Sequence, residues 1–389
     1  MRDVKYGTFA PLADWRFARE AALAAEAAGY DFVSHGDTVN LWIPRELWTE
    51  DMTPYANLID VDQAMDPWLM MADIATRTER IFQGTTVCDA IRRNPTNYAQ
   101  LLLTLDNMSQ GRCFLGMGSG EYRHFGAYGI ARDRPFAHLE EAVQIIKLLR
   151  DAVEPVSFDG SIWKLDRAVM SVRPFNEAAP PPVLVAGSGP RALRIAGEYA
   201  DGWIALTPIG GNAEEVAEGI QTVKKHAERV GRDPESLQFL ATSLCLIGMS
   251  EDEVEAMTHH PLIRWDCASL MLNGGDWKSV VGTDHPIRPD YSYARDLTSM
   301  WFPADEARKV IDVTPPSIVR HCRHAGTPTQ VAAQLQPLIE AGITWMAPVN
   351  FAMFVGDPAA AVGRDLVGEV CAELRTLNGQ PAVKNLTAV

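Results

Sequence analysis

The stretch PPVLVAGSGPRALRIAGEYADGWIALTP (181–208) indicates the fold more directly than any other part of the chain. Its apolar beginning, 181–190, predicts a buried strand that ends in a glycine-rich turn. The residues that follow predict a helix over 191–199 and a second strand over 202–208. Two strands joined through a helix lie parallel in one sheet, so this stretch is interpreted as a βαβ unit.

The same alternation of strand and helix continues on both sides of this unit. Six further strands are predicted, at 4–9, 30–37, 80–89, 112–121, 237–249 and 343–351. Helices are predicted at Trp15–Ala28, Asp66–Arg77, Pro95–Ser109, Pro135–Asp151, 213–230, Pro328–Ala341 and Asp357–Leu377, with another beginning at 251–257. Eight strands with helices between them favour an α/β fold of the closed (β/α)8 TIM-barrel class over an open sheet. No GxGxxG motif opens a helix after the first strand, which argues against a Rossmann domain.

Two segments interrupt the alternation. Residues 153–180 contain short strand-like pieces and prolines, and residues 258–326 are rich in Trp, His, Pro and Asp without a clean period. Segments this long without regular structure are uncommon unless they are functional. Both are therefore predicted to be insertions at the barrel rim, the second a lid or substrate wall, within a single barrel domain over residues 1–389.

Composition and charge exclude several classes of partner. The 35 basic and 50 acidic residues give a formal net charge of −15, which is not typical of a nucleic-acid-binding protein. The N-terminus lacks the apolar segment of a signal peptide, and no apolar run approaches the ~18 residues of a membrane-spanning helix. The six cysteines are scattered without a CxxC pair, so a cytoplasmic protein without membrane insertion is expected.

Polar residues and glycines gather at the predicted strand ends, where a barrel of this class has its active site. The candidates are His35–Thr38, Thr85–Asp89, Gly118–Glu121, Gly187–Arg191 and Thr207–Pro208. The turns at Gly118–Glu121 and Gly187–Arg191 are glycine-rich, which lets backbone N–H groups approach an anion. Either turn alone is most simply a tight βα connection, but two on one face predict a phosphate-bearing cofactor.

Other interpretations of single residues stay open. Glu121 is either a ligand-binding carboxylate or an ordinary exposed residue, Asp37 is also a possible structural cap, and Trp42 is either a wall for a planar ring or core. The pair His259–His260 and the cluster His321–His324 lack the spacing of zinc motifs, so no metal site is predicted. No GxSxG elbow follows a strand, which disfavours a hydrolase.

Five segments together resemble one known superfamily, the luciferase-like flavin- and deazaflavin-dependent oxidoreductases. They are SHGDTVNLWIPRE (34–46), TTVCDAIRRNPTNYAQ (85–100), GRCFLGMGSGEYRHFGAYG (111–129), VLVAGSGPRALRIAGEYADGWI (183–204) and GTPTQVAAQLQPLIEAGITWM (326–346). Within the superfamily the resemblance is to the branch that uses coenzyme F-420, an 8-hydroxy-5-deazaflavin, and in particular to the mycobacterial phthiodiolone ketoreductases.

The resemblance implies a cofactor site built from the strand ends. The residues that it assigns to the ring of the cofactor are Asp37, Thr85, Thr86, Val87, Gly118, Ser119, Gly120, Glu121 and His124. Those that it assigns to the phosphate of the side chain are Gly187, Ser188, Gly189, Pro190 and Arg191. The family often has a non-prolyl cis peptide at the stretch matched by Thr85–Val87. Arg92, Arg93, Arg191 and Arg194 are expected to help an acidic protein hold an anionic cofactor tail.

The implied catalytic residues are Glu121, Asp37, Thr38 and Trp42, with one departure from the family. F-420-dependent alcohol dehydrogenases and ketoreductases usually have a histidine after the aspartate, where this chain has Thr38. The candidates to replace that acid–base group are Glu121, His35, His124 and His259. The expected apolar wall consists of Trp42 with the aromatic residues of the second insertion, Trp265, Trp277, Tyr291, Tyr293, Trp301 and Phe302.

The function implied is hydride transfer between coenzyme F-420 and a small organic substrate, at a ketone or alcohol, a C=C or a C=N bond. Three alternatives remain open: an FMN-dependent monooxygenase of the same fold, a tetrahydromethanopterin-type reductase, and a non-catalytic protein that binds flavin or deazaflavin. The resemblance also implies a homodimer that packs helices beside the second and third strands.

Overall fold

Parallel strands form a closed barrel at the centre of the computed structural model, which describes residues 3–208, 212–355 and 365–381. The strands are β1 (Lys5–Phe9), β2 (Phe32–His35), β3 (Phe82–Thr85), β4 (Cys88–Asp89), β5 (Cys113–Gly118), β6 (Val156–Asp159), β7 (Lys164–Ala168), β8 (Val183–Ala186), β9 (Gly202–Thr207), β10 (Gln238–Ile247), β11 (His324–Gly326) and β12 (Trp345–Asn350). Hydrogen bonds join β1, β2, β3, β5, β8, β9, β10 and β12 in that order, and β12 closes on β1. The predicted (β/α)8 barrel is confirmed.

Helices surround the barrel and connect its strands. They are α1 (Trp15–Ala28), α2 (Pro67–Ala75), α3 (Pro95–Ser109), α4 (Pro135–Asp151), α5 (Pro190–Glu198), α6 (Ala213–Arg229), α7 (Glu251–Thr258), α8 (Pro261–Asp266), α9 (Gly274–Val281), α10 (Tyr293–Asp296), α11 (Ala304–Val313), α12 (Ser317–Cys322), α13 (Pro328–Ala341) and α14 (Leu366–Leu377). The predicted start of the last helix, 357–364, lies outside the described residues. Among the described residues, no helix is long and apolar enough to cross a membrane.

Local sequence signals explain where the helices beside the site begin. Asp66 accepts a hydrogen bond from the backbone N–H of Trp68 and Asn94 accepts one from Thr96, so each caps a helix that opens with proline. These caps fix the points at which α2 and α3 leave the barrel rim. The first turns of both helices therefore lie near the strand ends.

The segment 258–326 is largely helical, although its sequence lacks a clean period. It contains α8 to α12, which are 4 to 10 residues long, and a π-helical turn at Cys267–Met271. Helices this short complete too few turns for an amphipathic pattern to repeat. The other interruption, 153–180, contains the antiparallel hairpin β6–β7, which agrees with its strand-like pieces.

Aromatic rings fill the lower interior of the barrel. Phe32 and Phe114 pack against Trp345 with ring centroids 5.2 Å and 5.5 Å away. Gly84 makes room for this packing, because a Cβ atom there would lie 2.4 Å from the ring of Phe114. The amino-terminal half of the barrel is thus a packed core, and polar side chains are left to the carboxyl ends of the strands.

Candidate active site

The end of β2 is tied to the loop after β4 by a cluster of charges. The Asp37 carboxylate forms ion pairs with Arg92, whose Nη2 lies 2.8 Å from Oδ1, and with Arg93 through Oδ2. Arg92 Nη2 also donates to the backbone carbonyl oxygen of Asp37 at 2.8 Å. Arg92 also pairs with Asp89, and Arg93 pairs with Asp66 at 2.5 Å. Burial opposes the charge of Arg92, but the carboxylates of Asp37 and Asp89 raise its pKa above the ordinary value. Both oxygens of Asp37 are therefore occupied by protein groups.

Thr38 is the centre of a second network. Its Oγ1 lies 2.8 Å from Nε2 of His124, 2.6 Å from the carbonyl oxygen of Asn40 and 3.1 Å from Nη1 of Arg123. Arg123 also donates to the carbonyl oxygen of Asn40. Arg123 and His124 come from a 3-10 turn, Tyr122–His124, that follows β5. The strand ends of β2 and β5 are therefore joined through one hydroxyl group.

Glu121 lies at the edge of this network and remains partly accessible. Its Oε2 accepts from Nε of Arg123 at 2.7 Å, and its side chain is 27% exposed. Arg132 donates to the neighbouring carbonyl oxygen of Gly120 at 3.0 Å. Burial, followed by the charge of Glu121, raises the pKa of Tyr293 to about 12. The charge of Glu121 thus acts on two tyrosines of the insertion, Tyr293 and Tyr291.

Two buried histidines near the end of β2 are neutral. Burial, reinforced by the charges of Arg123 and Arg92, lowers the pKa of His124 well below its usual range. Burial lowers the pKa of His35 to about 3, and both of its ring nitrogens are sealed without a hydrogen-bond partner in the described part of the chain. Neither imidazole carries a charge at neutral pH.

The stretch between β3 and β4 has the backbone feature that the resemblance implies. The peptide bond between Thr86 and Val87 is cis. Thr85 donates to the carbonyl oxygen of Gly116 at 2.9 Å, which joins β3 to β5 beside this bond. Val87 lies against Gly118, where an added Cβ atom would approach its Cγ2 to 3.1 Å. The hydroxyl of Thr86 is buried and has no partner within the described ranges.

The turn after β8 is open to solvent. Gly187, Ser188, Gly189 and Pro190 are all exposed, and Gly189 caps α5 without a side-chain hydrogen bond. The first backbone N–H groups of α5 therefore have no side-chain acceptor at this end of the helix. Such a terminus is a general binding site for anions.

The four arginines expected to bind an anionic tail differ in availability. Arg92 and Arg93 are committed to carboxylates of the protein, and Arg194 pairs with Glu140 at 2.5 Å and with Glu198 at 2.6 Å. Each of these three guanidinium groups already has an acidic partner, so it could bind an anionic tail only if that ion pair opened, and the expectation stays a prediction. Arg191 is exposed and makes no ion pair with any residue that the structure describes.

A third polar group lies on the opposite side of the barrel, at the end of β9, beside it in β10 and at the start of β11. Thr207 and Ser243 share a hydrogen bond of 2.9 Å between their hydroxyl groups, and His324 Nε2 lies 3.3 Å from Thr207 Oγ1. Burial, followed by the nearby Arg323, lowers the pKa of His324 to about 4. The Thr207–Pro208 peptide bond is cis. This group contains the neutral His324, which the sequence analysis considered only as a candidate metal ligand.

Trp42 lies between the site and the insertion. Its ring packs against Phe351 and Phe354, with centroids 6.0 Å and 5.8 Å away. Trp265 donates from Nε1 to the carbonyl oxygen of Trp42 at 2.9 Å, and Ser299 donates to that of Leu41 at 2.7 Å. The insertion thus fixes the segment that follows β2. The Nε1 atom of Trp42 is buried and has no partner among the described residues.

The expected aromatic wall is wrong for three of its seven members. Trp265, Trp277 and Tyr291 are at most 1% exposed and form the core of the insertion itself. Trp301, in contrast, is 58% exposed. An insertion of short helices needs a core of its own, and large aromatic residues supply most of its buried area.

Sequence reasoning missed the residues that join distant segments. Asn40 accepts a hydrogen bond through its backbone carbonyl oxygen, and Arg132 donates one to the carbonyl oxygen of Gly120. No sequence pattern marks such backbone contacts. Arg123 comes two residues after Glu121, so the sequence places it near the glycine-rich turn. Its contact with Thr38, 85 positions away, could not be predicted from the sequence. Within the described residues, no group of three or more His, Cys, Asp or Glu side chains is placed to hold a metal ion.

A cleft of about 690 Å³ lies away from these groups. It is lined by the end of α4, the start of the hairpin, Tyr199 and Arg232, and it contains none of the predicted site residues. The chemistry-bearing side chains gather at the carboxyl ends of the strands, so that end of the barrel is the candidate site.

Comparison with known proteins agrees with the strand-end motifs. The family described as luciferase-like monooxygenase matches residues 3–344. A phthiodiolone/phenolphthiodiolone dimycocerosates ketoreductase of Mycobacterium kansasii is 29% identical over 337 residues, which are 86% of this chain and 90% of that protein. An F420-dependent hydroxymycolic acid dehydrogenase of Mycobacterium tuberculosis is 33% identical over 235 residues, 58% of each chain. The solved structure of an F420-dependent secondary alcohol dehydrogenase in complex with an F420-acetone adduct superposes with a TM-score of 0.69 at 20% identity, over 99% of this chain and 100% of that one.

Proposed function

Because the chain belongs to the luciferase-like monooxygenase family, we propose that it is an oxidoreductase that uses the deazaflavin coenzyme F-420. The predicted family is confirmed, and with it the prediction of a luciferase-like oxidoreductase. The preference for the deazaflavin is supported by relatives whose names specify F420 or a ketoreductase. In this proposal the enzyme moves a hydride between the cofactor and a small organic substrate.

The residues at the strand ends fit a planar cofactor with a phosphate tail. Buried polar atoms in proteins nearly always have a partner, yet Thr86 Oγ1 and Trp42 Nε1 have none among the described residues. Thr86 lies between β3 and β4, and Trp42 lies in the segment that follows β2. The exposed turn at Gly187–Pro190 offers backbone N–H groups to an anion.

The proposal assigns three tasks to the described residues. Thr85–Val87 and Gly118–Glu121 would hold the ring, and Gly187–Arg191 would hold the phosphate. When bound, the deazaflavin supplies two-electron hydride transfer at its C5 atom. Asp37 keeps Arg92 and Arg93 in place behind this site, because both of its oxygens are already bound by these guanidinium groups.

The proposal rests on a contrast at the carboxyl end of the barrel. Some polar groups there have all their hydrogen-bond partners within the protein, and others are free to bind a ligand. The network on Thr38 is complete within the protein, as a preorganised reaction site requires. The turn before α5 is exposed, as a site for a phosphate requires. A preorganised reaction centre beside an accessible anion site fits a phosphate-bearing redox cofactor.

Cofactor binding tests the proposal directly. Purified protein is titrated into coenzyme F-420 and, separately, into FMN, and quenching of cofactor fluorescence is recorded. We expect saturable binding of F-420 with a Kd of about 1 μM to 100 μM, and FMN binding at least about tenfold weaker. Binding of FMN without binding of F-420 would contradict the proposal in favour of a flavin monooxygenase.

Turnover separates an enzyme from a protein that only binds the cofactor. Reduced F-420 is mixed with the protein and a panel of acceptors that includes ketones and an N-methylacridinium salt. We expect faster oxidation of the reduced cofactor with the protein than without it. If no acceptor oxidises the cofactor and Glu121→Gln leaves its binding intact, the chain is a cofactor-binding protein instead.

We also propose a homodimer formed through α1 and α2, the helices beside β2 and β3. Leu69 in α2 is 76% exposed, and Phe17 in α1 is 55% exposed. Large exposed apolar side chains on neighbouring helices are typical of an interface. Light scattering after gel filtration should give the mass of two chains, and Leu69→Lys should shift it toward one. A monomeric wild-type protein would contradict this arrangement.

A further inference from the structure

We propose that His124 is the acid–base residue of this enzyme, in place of the histidine that related enzymes usually have at the position of Thr38. The inference rests on the proposed function, because a proton has to move only where hydride transfer makes or consumes a hydroxyl group. The observations that carry it are the position, the tautomer and the access of one imidazole ring.

The position follows from the turn after β5. Tyr122–His124 forms a 3-10 turn that brings the ring of His124 to the end of β2, where its Nε2 lies 2.8 Å from Thr38 Oγ1. The imidazole therefore lies next to residue 38 although it comes from a position 86 residues away. The end of β2 has no histidine at residue 38, and His124, from the turn after β5, lies beside that position instead.

The tautomer follows from the hydrogen bonds of Thr38. The carbonyl oxygen of Asn40 only accepts, and at 2.6 Å it needs the hydroxyl proton of Thr38 between the two oxygens. Arg123 only donates, so it occupies one lone pair of the hydroxyl at 3.1 Å. His124 must then donate its Nε2–H to the remaining lone pair. The neutral ring thus carries its proton on Nε2 and a free lone pair on Nδ1.

Access distinguishes His124 from the other candidates. Its Nδ1 makes no hydrogen bond within the described ranges and is not one of the sealed polar atoms, whereas both nitrogens of His35 are sealed. His259 lies outside the strand-end cluster, with a side chain 61% exposed and next to Glu255. Glu121 is paired with Arg123. His124 is therefore the candidate that combines a fixed ring with an open lone pair.

The proton balance of the step is simple. In alcohol oxidation the carbinol C–H bond would break as its hydride left for the bound oxidised cofactor, the hydroxyl proton would pass to Nδ1 of the neutral ring, and the C=O bond would form. In ketone reduction Nδ1 would first take a proton from solvent, and it would give that proton to the carbonyl oxygen as the carbonyl carbon received a hydride from the reduced cofactor. Thr38 is a positioning residue, because it holds the ring through Nε2.

The test compares two hydride acceptors, only one of which needs a proton. A ketone becomes an alcohol and takes up both hydride and proton, whereas the N-methylacridinium cation becomes neutral with the hydride alone. His124→Asn should slow reduction of ketones (acetone, 2-butanone, acetophenone) by about 100-fold or more. A loss that comes from weaker cofactor binding affects both acceptors equally, so the ratio of the ketone rate to the N-methylacridinium rate should fall by about 30-fold or more. His321→Asn, at an exposed histidine, is the matched control and should change neither rate.

A double variant tests the exchange of position. Thr38→His with His124→Asn puts an imidazole at residue 38, where related enzymes have it, and should recover at least about tenfold of the lost ketone activity. His124→Gln serves as a second single variant if His124→Asn lowers the melting temperature strongly. No recovery in the double variant, with normal reduction of N-methylacridinium, would count against a general acid–base role.

A spectroscopic measurement tests the tautomer without any cofactor. In protein with ¹⁵N-labelled histidine, His124 should be neutral at about pH 7 with its proton on Nε2. Thr38→Val removes the acceptor of that proton and should increase the Nδ1–H form. A proton on Nδ1 in the wild-type protein, or a charged ring, overturns the inference.

The outcomes separate this inference from the proposed function. A wild-type protein that oxidises reduced F-420 with neither acceptor overturns the proposed function and this inference with it. A wild-type protein that reduces N-methylacridinium and no ketone overturns the inference alone. Equal loss of both activities in His124→Asn also overturns it, because the ring would then serve structure or cofactor binding.

Discussion

The two sides of the barrel mouth use their polar groups in different ways. At the ends of β2, β4 and β5, the charges of Asp37, Arg92 and Arg93 are bound to each other. At the end of β8, the turn before α5 and the side chain of Arg191 are exposed and make no ion pair within the described residues. We call these the filled side and the open side.

On the proposed function, this difference assigns the chemistry to the filled side and the binding of the anionic ligand to the open side. Groups that already have their partners do not reorganise during a reaction, and this is the condition for electrostatic catalysis. Groups without partners gain most when an anion arrives. Substitutions on the filled side should therefore change stability and turnover, whereas those on the open side should change affinity alone.

Asp37→Asn should have the largest effect, because it removes a buried carboxylate that two guanidinium groups share. Breaking a buried ion pair from one side costs about 3 kcal/mol or more. We expect the free energy of unfolding to fall by about that amount, together with a loss of turnover as Arg92 and Arg93 move. Asp60→Asn is the matched control, since Asp60 pairs with Arg45 on the surface with both side chains about half exposed, and should cost less than about 1 kcal/mol.

Urea unfolding of the two variants against the wild type checks this prediction. An equal loss of stability in Asp37→Asn and Asp60→Asn would mean that the filled side is no more preorganised than the surface. A stable Asp37→Asn protein with normal turnover would remove the basis of the comparison.

The two walls share one property, a histidine whose pKa burial lowers, and the pH dependence of stability should reveal it. Burial lowers the pKa of His35 to about 3 and, with help from Arg323, that of His324 to about 4. The unfolded chain takes up a proton on each group below about pH 6.5, and the folded chain does not. Stability is therefore complete above that pH and decreases as the pH falls, by about 2 kcal/mol for each group at about pH 5.

His324→Gln isolates one of these contributions. We measure the free energy of unfolding in urea at about pH 7.5 and at about pH 5. Its decrease between the two pH values should be smaller in His324→Gln than in the wild type, by about 2 kcal/mol. An unchanged loss in the variant would mean that His324 takes up its proton in the folded protein. The ring of His324 would then be accessible to water in the folded protein.

Gly189→Asp should separate affinity from stability on the open side. A Cβ atom at Gly189 meets nothing within 4 Å, and an aspartate at this helix cap stabilises α5 by a few tenths of a kcal/mol. The new carboxylate occupies the N–H groups and repels a phosphate, so F-420 affinity should fall about tenfold. Gly275→Asp adds the same charge at an exposed position of α9 and should leave binding unchanged.

Fluorescence titration and thermal unfolding of both variants check this prediction. Weaker binding in Gly275→Asp as well would point to net charge rather than to a site at the turn. Normal binding in Gly189→Asp would place the cofactor tail elsewhere.

The sequence predicted those parts of this comparison that depend on neighbouring residues. The stretch 181–208 specifies strand, turn and helix through its own period and glycines, so the turn of the open side follows from local sequence alone. The resemblance added the cis bond at Thr86–Val87, which the structure contains.

The filled side depends on contacts that no local pattern contains. The ion pairs of Asp37 with Arg92 and Arg93 join positions 55 and 56 residues apart, and the charges alone suggested that both arginines were free for an anion. Trp265 was likewise predicted to line the site, but it lies in the core of the insertion, because the short helices around it bury it completely. Partner choice and burial are tertiary properties, so these assignments needed the fold.

Arg191→Ala should have the smallest effect, and Arg194→Ala is its internal control. The two arginines lie in the same helix, but Arg194 is held by Glu140 and Glu198, whereas Arg191 is exposed without an ion pair in the described residues. An exposed charge near a helix terminus contributes about 0.3 to 1 kcal/mol to anion binding, which corresponds to about two- to fivefold in Kd. Arg191→Ala should weaken F-420 binding by that factor at low salt and by less at high salt, because salt screens exposed charges. Arg194→Ala should leave the affinity unchanged and lower the melting temperature slightly. The opposite pattern would show that the ion pairs of Arg194 open to receive the cofactor, and the open side would then extend along α5.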